Sequence, residues 1–517
     1  MEMENENLQV PESTFPLTKR DTAFSLCAGI ACVFAAVFGI CEGYALGYLL
    51  SSVAMLAVFV IYFAKDRKRC GLSFFSCLLA LANAGVFVCT SNGSVRFFAA
   101  AVSFFLTLTC VYGWKNGSVK GNRQTLRIFF RAVATIGKMR MSIRSLSAGK
   151  NKRSVGKAMF GVLCALPVLI VVVPLLLSSD FAFQGMMKEV FGNVPEFILK
   201  IGFGLLLSLF VIPYGLSMRY TPAKPAREGR FTGIENVFVI SFLSAISLFY
   251  VLYLVSQLAY FFSAFQGFLP DEKITYAQYA RRGFFEMCVI AVINLALVFL
   301  TLLLAKKQNG KTCHSIKALA TFISVFTLII IATAISKMVL YIDAYGMTVK
   351  RLTTSAFMVF LAIVYISVIL RVYTVKANVI KTGLIAAGCI VLLLGIVNVN
   401  YVCARYNYES YRSGKLTTVD VEALYHMGYE GIPYIVELAS DENQTVAKQA
   451  KDYLKSAYLH RYFDGVKATK GFTLEQLQNS EKNPSFARFS IPRKAAYDSL
   501  YEYLRQNPDF SDYCKIK

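Results

Sequence analysis

The chain is short of charge. Of its 517 residues, 16% are Asp, Glu, Lys or Arg, against about 25% in ordinary soluble domains. A soluble chain of this length would divide into several domains, each needing a polar surface. The sequence does not hold enough polar residues to clothe them. Histidine is scarce too: His314, His426 and His460 are scattered. None sits at metal-ligand spacing from the cysteines, which form no CxxC pair. There is no Walker A loop and no HExxH. These absences exclude P-loop and zincin chemistry. The reading leans away from an enzyme and names no catalytic residue, no cofactor and no metal.

Acidic residues are outnumbered, 31 against 54 Lys and Arg, for a formal charge of +23. A basic chain can be a nucleic-acid binder. Here the basic residues cluster in short connectors between apolar runs, where membrane proteins carry their orientation signals, so nucleic acid is not expected as a partner. The N-terminus, MEMENENLQVPESTFPLTKR, lacks a short apolar core followed by a small-residue cleavage site. The first apolar run is therefore expected to be a retained span. Most of the 13 cysteines, such as Cys27, Cys77 and Cys288, lie inside apolar runs and read as small packing residues. Cys403 and Cys514 fall in a polar tail.

What the chain does have is long apolar runs: 56% of residues are AVILMFWYC. A spanning helix needs about 20 of them in a row. Eleven stretches qualify: 22–40, 44–64, 71–90, 96–114, 158–178, 196–217, 236–264, 284–305, 318–341, 354–374 and 379–401. Backbone groups cannot stay unpaired in hydrocarbon, and the runs are too long for barrel strands. The expected fold is all-α, a polytopic integral membrane helical bundle of about 11 transmembrane helices. The run 236–264 is long, but no Pro, Gly or charge interrupts it, and it reads as one tilted span.

With the N-terminus in the cytoplasm, five connectors face inward: 65–69, 115–157, 218–230, 306–311 and 371–381. Each carries at least three basic residues, and 115–157 carries twelve. The outward connectors CEGY and SNGSV carry none. That alternation follows the positive-inside rule. Connectors 266–283 (Lys273, Arg281, Arg282) and 342–353 (Lys350, Arg351) run against it. Within 122–149, Leu126, Phe130, Val133, Ile136 and Ile143 recur among basic residues. This predicts an amphipathic helix on the inner leaflet, in contact with anionic lipid. A solvated connector helix is the other reading. The stretch 181–197 reads as its outward, interfacial counterpart.

The organisation expected is a cytoplasmic tail at 1–21, four transmembrane helices in 22–114, the basic cytoplasmic segment 115–157, seven transmembrane helices in 158–401, and an extracytoplasmic domain at 402–517. Helical signals recur in that tail at 417–428, with a Thr cap, and at 432–439, 442–463, 472–479 and 492–506. The pair around 432–454 looks like one HEAT-type hairpin, so the domain is expected to be small and all-helical, with neighbours covering the hairpin.

One stretch carries charge where the chain should be entering the bilayer: TYAQYARRGFFEM, 275–287. On a helix Arg282 meets Tyr279 three residues back and Glu286 four residues on, and Tyr276 shares their face. Arg281 points about 100° away. Lys337, in the ninth span, falls at similar depth. A buried charge costs at least about 2.5–3.5 kcal/mol in a bilayer, and Glu286 snorkels poorly. The candidate binding cluster is therefore Tyr276, Tyr279, Arg281, Arg282, Glu286 and Lys337, suited to a phosphate, a carboxylate or a lipid headgroup. Plain anchoring by arginines and tyrosines at the headgroups is the competing reading; it leaves Glu286 unexplained. Asn294 reads as an interhelical hydrogen bond.

The stretch 236–265, the motif at 275–287 and MVLYIDAYGMTVKRL (338–352) together resemble an uncharacterised family of bacterial polytopic membrane proteins, known as a domain of unknown function. The pattern YAxYARRGFxE is matched at Tyr276, Tyr279, Ala280, Arg281, Arg282, Gly283, Phe284 and Glu286. The likeness covers roughly 160–460. It implies a bacterial plasma-membrane protein and no established activity. Two functional readings stand: handling or transport of an anionic small molecule or lipid at the outer-facing cluster, or a non-catalytic envelope sensor, scaffold or regulator whose C-terminal domain binds a protein partner. An enzyme acting on lipid-linked substrates comes third.

Overall fold

The computed structural model describes residues 18–40, 45–65, 70–117, 121–135, 194–220, 233–266, 284–306, 312–374, 377–456 and 489–507. Among them there is no strand, only a single parallel bridge between Ile234 and Ala305. In it Ile234 N–H donates to Leu304 O at 2.9 Å and Lys306 N–H to Ile234 O at 3.0 Å.

The helices are α1 (Lys19–Phe34), running on into a π turn (Ala35–Ile40), α2 (Ala45–Phe63), α3 (Gly71–Cys89), α4 (Gly93–Asn116) and α5 (Asn122–Ala134). Next come α6 (Val194–Tyr220), α7 (Asn236–Gln266), α8 (Phe284–Leu304), α9 (His314–Tyr345), α10 (Val349–Tyr373) and α11 (Val379–Ile396). A further group follows: α12 (Val399–Arg412), α13 (Val421–His426), a 3-10 turn (Gly428–Glu430), α14 (Ile432–Leu438), α15 (Gln444–Ser456) and α16 (Ile491–Gln506).

Ten of these helices are long and apolar enough to cross a membrane, and they answer ten of the eleven expected runs. The remaining run, 158–178, lies outside the described residues, as do most of 181–197, the part of 122–149 beyond Thr135, and 472–479. The fold is an all-α polytopic membrane bundle. α7 is one uninterrupted helix of 31 residues. At 1.5 Å per residue it is about 46 Å long, more than a hydrocarbon core of about 30 Å requires.

The described residues divide into two compact units. One holds α1, α2, the first turns of α3, the later part of α4, most of α5, and α6. Its core gathers Phe24, Phe59, Phe63, Trp114, Ile128, Tyr214 and Leu216. α1 packs on α2 and α6, and Gly204 lets α6 approach closely: a Cβ there would lie 2.5 Å from Val33 Cα.

The other unit holds the rest. α9 packs against α7, α8 and α10, and α10 against α11. One cluster of this unit joins Met287, Ala291, Phe326, Ile330, Met338 and Tyr365; another joins Leu243, Val298, Ile316, Ile323 and Val368. α11 meets α3 and α4 through Gly388, whose missing side chain makes room for Leu79 and Leu106. Close approach at small residues is the usual way membrane helices gain dispersion contact where no hydrophobic drive exists.

The run expected to span 379–401 stops earlier. α11 ends at Ile396 and α12 starts at Val399, because Asn398 adopts φ 55°, in the left-handed region. Asparagine is the residue other than glycine that tolerates this best. α12 packs on α10, the 3-10 turn and α14, and α16 covers α14 and the 3-10 turn. α13 is capped not by a threonine but by Asp420, whose carboxylate accepts from Ala423 N–H at 2.9 Å. The hairpin of α14 and α15 is present and buries Ile435, Leu438, Ala450 and Leu454.

Candidate functional site

Of the residues singled out in the sequence, Tyr276, Tyr279, Arg281 and Arg282 lie outside the described residues. Glu286 stands in the first turn of α8 and is exposed. Lys337 lies in the second half of α9 and is buried, 5% exposed. Their neighbours Met287 and Met338 share one apolar cluster with Ala334 and Tyr341. The start of α8 therefore sits against the level of α9 that carries Lys337.

The end of α9 is tied off by basic and aromatic side chains. Arg351 stacks 3.8 Å above the Tyr341 ring and donates to the carbonyls of Tyr345 and Gly346. A guanidinium on terminal carbonyls complements the helix macrodipole. Asn407 of α12 then reads the turn after α9 as a strand would: its Oδ1 accepts from Met347 N–H and its Nδ2 donates to Met347 O, both at 2.8 Å. Gly346, φ 78°, is required there, since a Cβ would lie 2.7 Å from Asn407 Oδ1. Asp343 accepts from Lys415 Nζ at 2.8 Å and Tyr406 OH at 3.3 Å. Those contacts, Asp343 first, raise the Lys415 ammonium above its ordinary pKa.

A second polar joint lies where α3 turns into α4. The buried Glu430 carboxylate accepts from Ser91 N–H at 2.8 Å and from the Ser91 hydroxyl. Asn92 Nδ2 donates to Asn400 Oδ1 at 2.8 Å, and Asn400 Nδ2 donates to Met427 O at 2.7 Å. Asn398 holds its left-handed backbone by donating to Cys89 O at 2.9 Å and accepting from Thr90 Oγ1 at 3.1 Å. Arg96 closes the back of the turn, with Nε on Thr90 O at 2.8 Å and a terminal nitrogen on Phe87 O at 2.9 Å. The α3–α4 turn, the α11–α12 break and the 3-10 turn are thereby one hydrogen-bonded clasp. The helices after α11 are docked on the spans at this clasp and at the Asn407–Met347 pairing.

Inside the spans, Tyr250 OH donates to Asn294 Oδ1 at 2.6 Å, and Asn294 Nδ2 donates to Thr327 Oγ1 at 3.0 Å. Asn294 is the interhelical bond expected of it, and it joins three helices, α7, α8 and α9. Tyr365 of α10 reaches Ala291 O at 2.5 Å, which adds a fourth.

The most densely bonded charge in the other unit escaped the sequence reading. Asp21, fully buried, accepts from Thr18 N–H at 2.8 Å, Thr18 Oγ1 at 2.7 Å, Tyr62 OH at 2.7 Å, Arg219 at 2.7 Å and Tyr220 OH. Phe24 stacks on Tyr62 with ring centroids 4.0 Å apart, and Arg219 lies 5.5 Å over the same ring. α1, α2 and α6 are thus tied at one carboxylate. The signal was present: Thr18-x-x-Asp21 just ahead of an apolar run has the spacing of a helix N-terminal capping box. Nearby, Arg131 of α5 donates to Ser217 O at 2.7 Å, and burial lowers its pKa from the ordinary value.

Among the described residues no three His, Cys, Asp or Glu side chains gather as metal ligands do. These features define a class: an all-α polytopic membrane protein whose C-terminal helices are hydrogen-bonded to the span bundle. Residues 50–438, about three quarters of the chain, match the family described as domain of unknown function DUF4153, and the chain belongs to that family. The match begins well ahead of residue 160, so it takes in α3, α4 and both sides of the clasp, and it ends at the last residue of α14. No curated protein and no solved structure matches the chain.

Proposed function

We propose that this protein, a multi-pass protein of the bacterial plasma membrane with its N-terminus in the cytoplasm and α12–α16 outside, binds and handles an anionic small molecule or lipid where α8 begins and α9 ends. The observation that carries this reading is Lys337. A lysine 5% exposed on a membrane span is costly to keep and is a functional residue by default. The twin arginines Arg281 and Arg282 lie three and two positions ahead of α8 in the sequence, and Glu286 follows them on the helix whose first turn packs at the level of Lys337. Cations of that kind, with Tyr276 and Tyr279 in the same stretch, suit a phosphate or carboxylate.

The test is native mass spectrometry of the purified protein. Wild type should carry anionic lipid or metabolite, and Arg281→Ala, Arg282→Ala and Lys337→Met should each lose it while remaining monodisperse. Equal occupancy in all four proteins would sink the reading.

A second reading rests on the clasp. A sensor or scaffold that binds a protein through its C-terminal helices needs them held to the spans, and Glu430 with Asn400 supplies such a hold. Deleting 403–517 should then abolish both cross-linked partners and function, whereas an anion handler would keep its bound anion. α5 supports an inner-leaflet contact with anionic lipid: Phe130 and Val133 are 68% and 63% exposed beside Arg127, as an interfacial helix requires.

A further inference from the structure

We propose that α12 lies along the lipid headgroup layer and offers phospholipid headgroups a stripe of Tyr401, Arg405, Tyr408 and Arg412, with Tyr434 of α14 beside it. The argument starts one helix earlier. At the end of α11, Leu393 and Ile396 are 61% and 62% exposed, and Val397, which caps it, is 46% exposed. On a helix apolar enough to span, side chains so uncovered face acyl chains.

Exposed side chains at helical spacing resume beyond the break at Asn398. Positions 393, 397, 401, 405, 408 and 412 are spaced three or four apart, and the residue type changes as the break is crossed. At these six positions the aliphatic side chains end at Val397, and tyrosine and arginine follow. That order, apolar to aromatic and cationic, is the order met on leaving a bilayer core. The opposite face of α12 is spoken for: Val399, Asn400, Cys403, Ala404 and Ser410 are buried. The stripe is therefore not part of the domain's own core.

Its members are arranged for a polar contact, with Arg405 beside Glu409, Arg412 beside Asp441 and Tyr408 bonded to Glu437. Tyr434 packs 5.3 Å from Tyr408 and 6.2 Å from Tyr401, centroid to centroid, making a small aromatic shelf. Arg405 gives Nε to Glu409 at 2.7 Å and also hydrogen-bonds Tyr401, and its side chain is 55% exposed. A guanidinium carries five N–H donors, and those left over by these two bonds can still reach a phosphate. Arg412 is 58% exposed at a loose 3.7 Å from Asp441.

Geometry limits how α12 is inclined. The headgroup layer on each side is roughly 5–7 Å deep, while α12, 14 residues, is about 21 Å long. Standing upright, it would leave that layer within its first turn, taking Tyr408 and Arg412 into water. Only a helix turned toward the membrane plane keeps the whole stripe wet by headgroups, and the left-handed Asn398 supplies the turn. The proposal is independent of what binds near Lys337.

Tyr401→Trp and Tyr408→Trp, reconstituted singly in phosphatidylcholine–phosphatidylglycerol vesicles, test it, since the chain has a single tryptophan, the buried Trp114. A nitroxide on the lipid headgroup should remove about half of the added emission at both positions, and acrylamide should reach them poorly. Tyr453→Trp, on α15, should show the reverse. In the wild-type chain, a headgroup-diazirine phospholipid should cross-link to the peptide of 399–412 and not to that of 444–456. If Tyr408→Trp behaves like Tyr453→Trp, or if 399–412 takes no cross-link, the stripe faces water or a soluble partner such as a glycan, and the proposal falls.

Discussion

Glu430 and Ser91 are 339 positions apart, yet the carboxylate of the one takes both the backbone N–H, at 2.8 Å, and the hydroxyl of the other. The contact joins a 3-10 turn of the C-terminal helices to the connector between two membrane spans. An ionised acceptor makes such bonds roughly twice as strong as neutral ones. A buried donor left without its acceptor costs about 1–3 kcal/mol. Docking of α12–α16 on the spans therefore depends on this pair more than on any surface ion pair, and the following changes should separate the contributions.

Glu430→Ala should destabilise the docked arrangement by about 2–3 kcal/mol, and Glu430→Gln by about 1, because the amide keeps one acceptor oxygen for Ser91 N–H. Hydrogen exchange on the full chain reads this directly: amides of α13–α15 should exchange faster in Glu430→Ala, with those of α8 and α9 unchanged. Equal exchange in wild type and Glu430→Ala would show that the clasp is not what holds these helices.

Asn398→Ala should cost more than the loss of its side-chain bonds alone. The residue sits at φ 55° while bonding Cys89 O and Thr90 Oγ1. Alanine loses both bonds and must also hold a left-handed backbone, at about 1–2 kcal/mol. Asn398→Gly loses the bonds without the strain and should be the milder change by about that amount. If glycine is no milder than alanine in detergent thermal-inactivation half-life, the strain argument fails.

How much of this was legible in the sequence depended on the range of the physics involved. The helical type of the spans, and the place of ten of the eleven expected, followed from local composition, because about 20 apolar residues in succession admit few structures. Asn294 was readable because one amide within a span must find a partner nearby, and it found Tyr250 and Thr327. The clasp was not readable: Ser91, Asn92, Asn398 and Asn400 are ordinary turn residues until the fold sets them together across more than 300 positions. The end of α11 was missed for the same reason, since the run into Val399 and Val402 stays apolar enough to continue a helix. The cap of α13 went to Asp420 rather than a threonine of TTVD because burial of Val421 and Leu424 fixes the register. Asp21 was readable and overlooked. Of the proposed site, Glu286 and Lys337 can be placed, on adjoining helices.

Asp21 and Arg219 make a test of buried-charge energetics. Removing one partner of a buried pair typically costs about 3–5 kcal/mol. Arg219 keeps a 19% exposed side chain, so water recovers part of its charge, and Asp21→Ala should cost about 2–3 kcal/mol. Arg219→Met should cost less, since Thr18, Tyr62 and Tyr220 still donate to Asp21. Coupled residues are not additive, so Asp21→Ala combined with Arg219→Met should lose less than the sum of the two. Strict additivity in unfolding measured by steric trapping would mean the pair does not interact in the membrane.

Two glycines of the C-terminal helices should respond differently to the same substitution. Gly414 has φ 74° and open space where a Cβ would stand, so Gly414→Ala carries only backbone strain, about 1 kcal/mol. Gly431, just before α14, has an ordinary φ of −80°, but an added Cβ would collide with the Leu424 carbonyl oxygen. A backbone atom cannot rotate aside as a side chain can, so Gly431→Ala must push α13 and α14 apart, at about 3 kcal/mol. The displacement would also loosen Glu430, one residue away, from Ser91. Gly431→Ala should therefore reproduce the faster exchange of Glu430→Ala in α13–α15, while Gly414→Ala leaves those amides protected. The reverse ranking would mean that the packing of α13 on α14 is not the tight contact described.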